Sequence, residues 1–221
     1  MTLFEVKPQE RRALGWSLLY VFAVLSAYYV LRPIRDEMGV QGGVENLPWL
    51  FTGTLLGMIA INPLFAALVK RLPRQRFIAL SYRFFSLNLL IFAAGFFLST
   101  QSQNVWLGRA FFIWLSVFNL FVVSVFWALM VDVFDSGQGK RLFGFLAAGA
   151  TLGAIAGSAI TASLVREVGA TTLFFASIVL LEVAVFAVRR LSVNPRQGED
   201  AAIGGGVLAG ISHTFRSPYL L

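Results

Sequence analysis

The chain has 221 residues, 57% hydrophobic and 13% charged, with a mean hydropathy of +0.75 and a formal net charge of +7. A soluble domain has about 25% charged residues and breaks its apolar residues into short periodic runs, whereas these runs are long enough to cross a bilayer. The chain has no cysteine, so disulfides and thiolate metal sites are excluded, and its one histidine, His213, excludes a His-rich metal centre.

Residues 1–12 are a short polar start holding Lys7, Arg11 and Arg12. They are similar to the n-region of a signal peptide. No small-residue cleavage site follows, and five further hydrophobic segments do, so the first span is expected to stay in the protein. Span 1, residues 13–31, runs for 19 residues without a charge. That length suffices for a hydrocarbon core of about 30 Å at about 1.5 Å per residue. Arg32, Pro33, Arg35, Asp36 and Glu37 follow within six residues. If the helix leaves lipid here, the arginines are headgroup anchors neutralised by the two acids. If it continues, they enter a protein cavity. Pro33 biases Arg32 away from helical geometry.

Span 2, residues 47–69, contains Gly53 and Gly57, the small-xxx-small spacing that brings helix backbones together. Pro63 is expected to kink it, because it gives no N–H to the ladder. A basic loop follows, with Lys70, Arg71, Arg74 and Arg76. Span 3, residues 77–98, carries Arg83. Span 4, residues 105–131, has Arg109 near its start and Asp132 just past its end. Span 5, residues 142–165, contains Gly149, Gly153 and Gly157, a groove down one helix face that suits close packing. Span 6, residues 171–188, contains Glu182 and is closed by Arg189 and Arg190. Residues 1–190 therefore read as one all-α integral membrane bundle of six transmembrane helices. Residues 191–221 read as a polar, glycine-rich linker in which His213 sits on a surface turn or short helix without a functional role.

Cation placement orients the spans. With the N-terminus in the cytoplasm, thirteen Lys and Arg lie in inner segments, and only Arg32, Arg35 and Arg166 lie outside. That bias follows the positive-inside rule and puts both termini in the cytoplasm. It also explains the basic net charge without nucleic acid.

Six spans with a basic loop after span 2 and a linker after span 6 resemble the N-terminal half of a major facilitator superfamily transporter. The stretch Ala66-Ala67-Leu68-Val69-Lys70-Arg71-Leu72-Pro73-Arg74-Gln75-Arg76 is similar to that superfamily's signature, with Lys70 in place of its acid and Pro73 of a glycine. A narrower resemblance is to the ATP/ADP translocase type of nucleotide transporter. It is carried by Leu31-Arg32-Pro33-Ile34-Arg35-Asp36, Gly43-Val44-Glu45-Asn46-Leu47-Pro48, Phe126-Trp127 and Lys140-Arg141, in order from Leu31 to about Gly157. Arg35 stands where those transporters have lysine, and Leu115 lies nearest the acid that true exchangers carry in span 4.

The resemblance implies half of a secondary active transporter. It would move a small organic anion, a nucleotide or phosphorylated metabolite, across the inner membrane by alternating access. A second six-helix half, missing from this chain, or another copy would supply the facing wall, with substrate between the halves. The alternative is a non-transporting scaffold or accessory protein, or an inactive truncated remnant. An enzyme is not expected: no phosphate loop or zinc-protease pattern is present, and Asp132 and Asp135, three apart, read as structural ion-pair partners. No cofactor or metal is expected.

The candidate substrate site combines two spans. Tyr28, Arg32 and Arg35 follow i, i+4, i+7, and the same face extends back to Val24, Tyr20 and Ser17. On span 4, Arg109, Ser116 and Asn119 lie near one stripe beside Phe112 and Trp127. Arginines with aromatic neighbours suit a phosphate or carboxylate, which a guanidinium grips with two parallel hydrogen bonds. Two gating or structural ion pairs are also expected. Asp132 should meet Arg71, Arg74 or Arg76. Arg83 should meet Glu182, both lying about 10 Å inside the membrane boundary by helical rise.

Overall fold

The computed structural model describes residues 6–192, and within them the side chains of residues 62, 64–71, 101–103 and 168 are not described. The described chain is all helical. Helix α1 spans Arg11–Gln41, a 3-10 turn covers Val44–Asn46, and α2, α3 and α4 span Leu47–Arg71, Arg74–Leu98 and Gln101–Val133. The last helical run, Ser136–Arg189, is broken at Gly169 (φ 78°, ψ 161°), a conformation open to glycine, so it forms two spans. They are α5, Ser136–Glu167, and α6, Gly169–Arg189. All six are long and apolar enough to cross a membrane.

Six helices cover the six expected spans, with α5 beginning at Ser136, six residues before the expected 142, and the largest overrun in α1. Helix α1 continues ten residues past Leu31, through Pro33 to Gln41. Proline removes one ladder hydrogen bond, and the helix tolerates that loss here. Beyond its C-terminal end stands Gly43, whose φ of 97° lets the chain reverse into α2. Helix α2 likewise runs through Pro63. The linker and His213 lie outside the described residues.

Helix α1 is the centre of the bundle. Ser17, Tyr20, Val21, Ala23, Val24, Ser26, Ala27, Tyr28, Val30 and Leu31 are all buried, so it is covered all round. The glycines of α5 make that possible. A methyl built at Gly153 would stand 2.5 Å from the Phe22 carbonyl oxygen, and one at Gly157 would stand 2.5 Å from that of Ser26. Gly149 receives Leu18, whose Cδ2 would lie 2.7 Å from a methyl there. Backbones this close permit side-chain hydrogen bonds across the seam. Ser26 Oγ donates to the Gly153 carbonyl at 2.9 Å, and Thr161 Oγ1 donates to the Val30 carbonyl at 2.7 Å. Helix α6 adds a bond from Ser177 Oγ to the Ala27 carbonyl at 2.9 Å. Such bonds contribute about 0.6 kcal/mol each inside a membrane, so close packing does more than they do to hold the seam.

Helices α3 and α4 meet through rings: Phe85 and Phe118 have centroids 4.7 Å apart, and Trp114 stacks on Phe118 within 4° of parallel. Helix α2 is the least buried span. It rests on α4, where methyls at Gly53 and Gly57 would lie 2.6 Å from Ile113 and 3.3 Å from Val117. Trp49, Phe51, Leu55, Leu56 and Ile59 point outward from it.

The two ends of the bundle differ. At the basic end, α3 and the close of α6 are tied by Gln75, which donates to the carbonyls of Val188 and Leu191. Glu10 is buried there and holds Arg141 at 2.7 Å and Gln138 at 3.3 Å. At the other end, the close of α1 meets the start of α4, with Met38 against Gly108.

Candidate functional site

The seam between α1 and α4 gathers Tyr28, Arg35, Phe112 and Ser116. Seven residues on a helix return to nearly the same face, so Tyr28 and Arg35 align along α1. Arg35 Nη1 donates to Tyr28 Oη and to Ser116 Oγ, each at 3.2 Å. Ser116 Oγ in turn donates to the Phe112 carbonyl at 2.7 Å, which fixes its lone pairs toward Arg35. The guanidinium carbon lies 4.9 Å from the centre of the Phe112 ring. Arg35 is therefore positioned from three sides.

Its remaining edge faces Asp36. Asp36 Oδ1 accepts from Arg35 Nε at 2.9 Å and from Nη2 at 2.6 Å. The other oxygen, Oδ2, lies 3.7 Å from Arg32 Nε. Arg32 is more exposed and sits 5.2 Å over the Tyr29 ring. Glu37 does not share this work: it accepts from Gln41 at 3.0 Å.

Arg109 stands nearer the end of the bundle. Its Nη2 donates to the Gly42 carbonyl at 3.0 Å, and its guanidinium carbon lies 4.7 Å over the outward-facing Trp106. Its Nε is buried without an acceptor. Asn119 lies one turn inward from Ser116 and is half-buried. Trp127 is further along, packed edge-on to Phe143 at 5.3 Å.

Tyr20 does not join this site. It is fully buried, its hydroxyl 2.6 Å from that of Tyr82 on α3 and its ring 5.3 Å from Phe126. Eight residues separate it from Tyr28, a rotation of about 80° about the helix, which turns it toward α3. Val24 and Ser17 are also buried in the core. Tyr28 and Ser116 join the site as supports for Arg35, since both are buried beneath it. The arginines and Asn119 are the more open members.

Both expected ion pairs form. Arg74 Nε lies 2.9 Å from Asp132 Oδ2, largely buried at the basic end. The side chain of Arg71 is not described, and Arg76 is exposed. Arg83 Nε lies 3.4 Å from Glu182 Oε1 on the outer surface between α3 and α6, both about half exposed. Asp132 and Asp135 do not share a helix. Asp135 starts α5 as its N-cap in a capping box: its side chain accepts from Gln138 N at 2.7 Å, while the Gln138 side chain accepts from Asp135 N at 3.0 Å. The spacing Asp135-x-x-Gln138 is the sequence signal for that cap.

Sequence reasoning missed the Glu10–Arg141 pair. Glu10 lies just before α1 among cations, and only the approach of α1 to α5 brings Arg141 to it. The Arg141 hydrogen bond holds the Glu10 carboxyl below its usual range, against the upward push of burial.

A bundle of six apolar helices, with paired charges at its ends and on its outer wall, defines a multi-pass helical membrane protein. The comparisons with known proteins return no match: no family model fits the chain, and no curated protein or solved structure matches it.

Proposed function

We propose that this chain is half of a secondary active transporter for a small organic anion, a nucleotide or phosphorylated metabolite. It works by alternating access in the inner membrane, with both termini cytoplasmic, against a second six-helix bundle or another copy. The observation that carries the reading is Arg35. Arg35 stands past the apolar run at the outer end of α1, yet its side chain is only 14% exposed. A guanidinium held inside a helix seam instead of reaching for water is a candidate binding group. Here Tyr28, Ser116 and Phe112 hold its guanidinium in one orientation and leave the Nε/Nη2 edge to a surface carboxylate. Arg109 adds a second cation further along the seam. The resemblance of residues 31–36 to the nucleotide translocases, and the bias of cations to one end, agree with this reading. No catalytic step is proposed.

One observation favours a second reading, a non-transporting scaffold or accessory protein. Asp36 already pairs with both Arg32 and Arg35, as it would if they were anchors at the membrane boundary.

Uptake into vesicles bearing the full-length protein separates the two. Labelled nucleotides and phosphorylated metabolites are offered to the wild type and to Arg35→Gln and Arg109→Gln. Transport that is lost in both variants at unchanged membrane abundance supports the transporter. Transport that survives both makes the arginines anchors. Partial rescue by Arg35→Lys would mean that charge outweighs the bidentate fork.

A further inference from the structure

We infer that Asp36 is a built-in stand-in for the ligand: its carboxylate occupies the edge of Arg35 that an incoming anion takes, and the anion binds by displacing it. The inference rests on the anion-binding reading above and adds how that site is regulated and what charge its ligand carries.

The contacts of Arg35 divide into fixed and removable ones. Nη1 is held by Tyr28 and Ser116, both buried, and the ring of Phe112 lies against the guanidinium plane. These groups cannot step aside without unpacking the α1–α4 seam. Asp36 can, because its side chain is 48% exposed, against 14% for Arg35. Neighbouring residues on a helix point about 100° apart and do not face each other. The Arg35–Asp36 contact therefore exists because both side chains bend toward it, and the helix does not impose it. Rotating Asp36 into water leaves the backbone as it is.

The edge so vacated is Nε with Nη2, two parallel donors that match the two oxygens of a carboxylate or phosphate. Asp36 uses them imperfectly, since one oxygen, Oδ1, receives both bonds while Oδ2 turns to Arg32. A free anion can use two oxygens on Arg35 and a third on Arg32.

Charge sets the class of ligand. Asp36 brings one negative charge to two guanidinium groups, so the trio keeps one positive charge. A monoanion in its place leaves that sum unchanged and competes only on geometry. A phosphate, pyrophosphate or dicarboxylate neutralises both cations, which is the gain that displacement needs. The ligand is a polyanion, and Asp36 sets a threshold that rejects simple carboxylates.

The test is calorimetric titration of inorganic pyrophosphate, and separately of acetate, into the full-length protein in neutral phosphatidylcholine nanodiscs at low salt. The wild type is compared with Asp36→Asn, Arg35→Gln, Arg35→Lys and the Asp36→Asn/Arg35→Gln double variant, with thermal unfolding reporting that each is folded. Removal of the competing charge is expected to tighten pyrophosphate binding about two- to fivefold, the scale of an exposed pair. It should narrow the preference for pyrophosphate over acetate. The gain should vanish in the double variant, and Arg35→Lys should bind pyrophosphate more weakly than the wild type does. Binding that needs Arg35 but is unchanged or weaker in Asp36→Asn overturns the competition and leaves the anion site standing. Absence of any Arg35-dependent binding in both the wild type and Asp36→Asn overturns the anion site together with this inference.

Discussion

Arg74 and Asp132 join the start of α3 to the end of α4: Nε lies 2.9 Å from Oδ2, with the aspartate side chain only 9% exposed. The pair closes the basic end of the bundle at the junction that leads into α5. A buried acid that loses its charge leaves a guanidinium without its partner, and that penalty exceeds the worth of a surface pair. Asp132→Asn is expected to lower stability by about 1–3 kcal/mol. Thermal unfolding in detergent of Asp132→Asn, Arg74→Gln and the double variant will measure it. The double variant should lose less than the sum of the singles, and strict additivity would mean that the two residues are not coupled.

The Arg83–Glu182 pair faces outward from α3 and α6, and the helical rise that puts both about 10 Å inside the membrane boundary predicts lipid or another protein around it. Neutralising one partner strands the other where a charge is costly, at roughly 2.5–3.5 kcal/mol near the bilayer centre. Glu182→Gln should therefore reduce membrane abundance and melting temperature. The charge-swapped protein, Arg83→Glu with Glu182→Arg, should recover most of both. A swap no better than either single change would assign the two residues to separate partners.

Close contact between α1 and α5 depends on hydrogen in place of a side chain at Gly153. Gly153→Ala pushes a methyl against the Phe22 backbone, which cannot rotate away, and should cost about 1–3 kcal/mol by overpacking. Gly144 on the same helix is the control, since a methyl there meets nothing within 4 Å. Gly144→Ala should be neutral or stabilising, by up to about 1 kcal/mol of helix propensity. Equal losses at the two positions would show that glycine acts here through backbone conformation and not through packing.

Glu10 and Arg141 predict a response to acid. The carboxyl titrates lower in the folded protein than in the unfolded chain. Over that interval the unfolded chain binds more protons, so stability falls as pH falls. The contribution of the pair is complete above the ordinary glutamate range, about 4.3, and is lost as pH drops through the lower folded value. Unfolding midpoints measured from about pH 7 down to about pH 3, on either side of that range, should separate the wild type from Glu10→Gln at the neutral end and converge at the acid end. Parallel curves would mean that the ion pair does not contribute.

The comparison of sequence with structure is clearest along α1. Its apolar run and the place of its charges were legible, because crossing a bilayer depends on transfer free energy summed over about 20 consecutive residues. The same holds for the other five spans. The glycines at 53, 57, 149, 153 and 157 were legible as packing positions, since only small residues let membrane helices approach. The pairing of Arg83 with Glu182 and of Asp132 with the basic loop could be foreseen, because opposite charges at equal depth have few other partners.

The fold alone decided which face each helix presents and to whom. Rotation of a membrane helix about its axis is set by side-chain packing against its neighbours, which span hydropathy does not record. That rotation sent Tyr20 to Tyr82 and kept Arg35 at Ser116, although a periodic reading put both on one stripe. It also brought Glu10 to Arg141 across 131 positions of sequence. Within one helix, it was the reach of two flexible side chains that placed Asp36 on Arg35. Local composition determines that each helix enters the membrane, and the contacts between helices determine what its polar residues meet there.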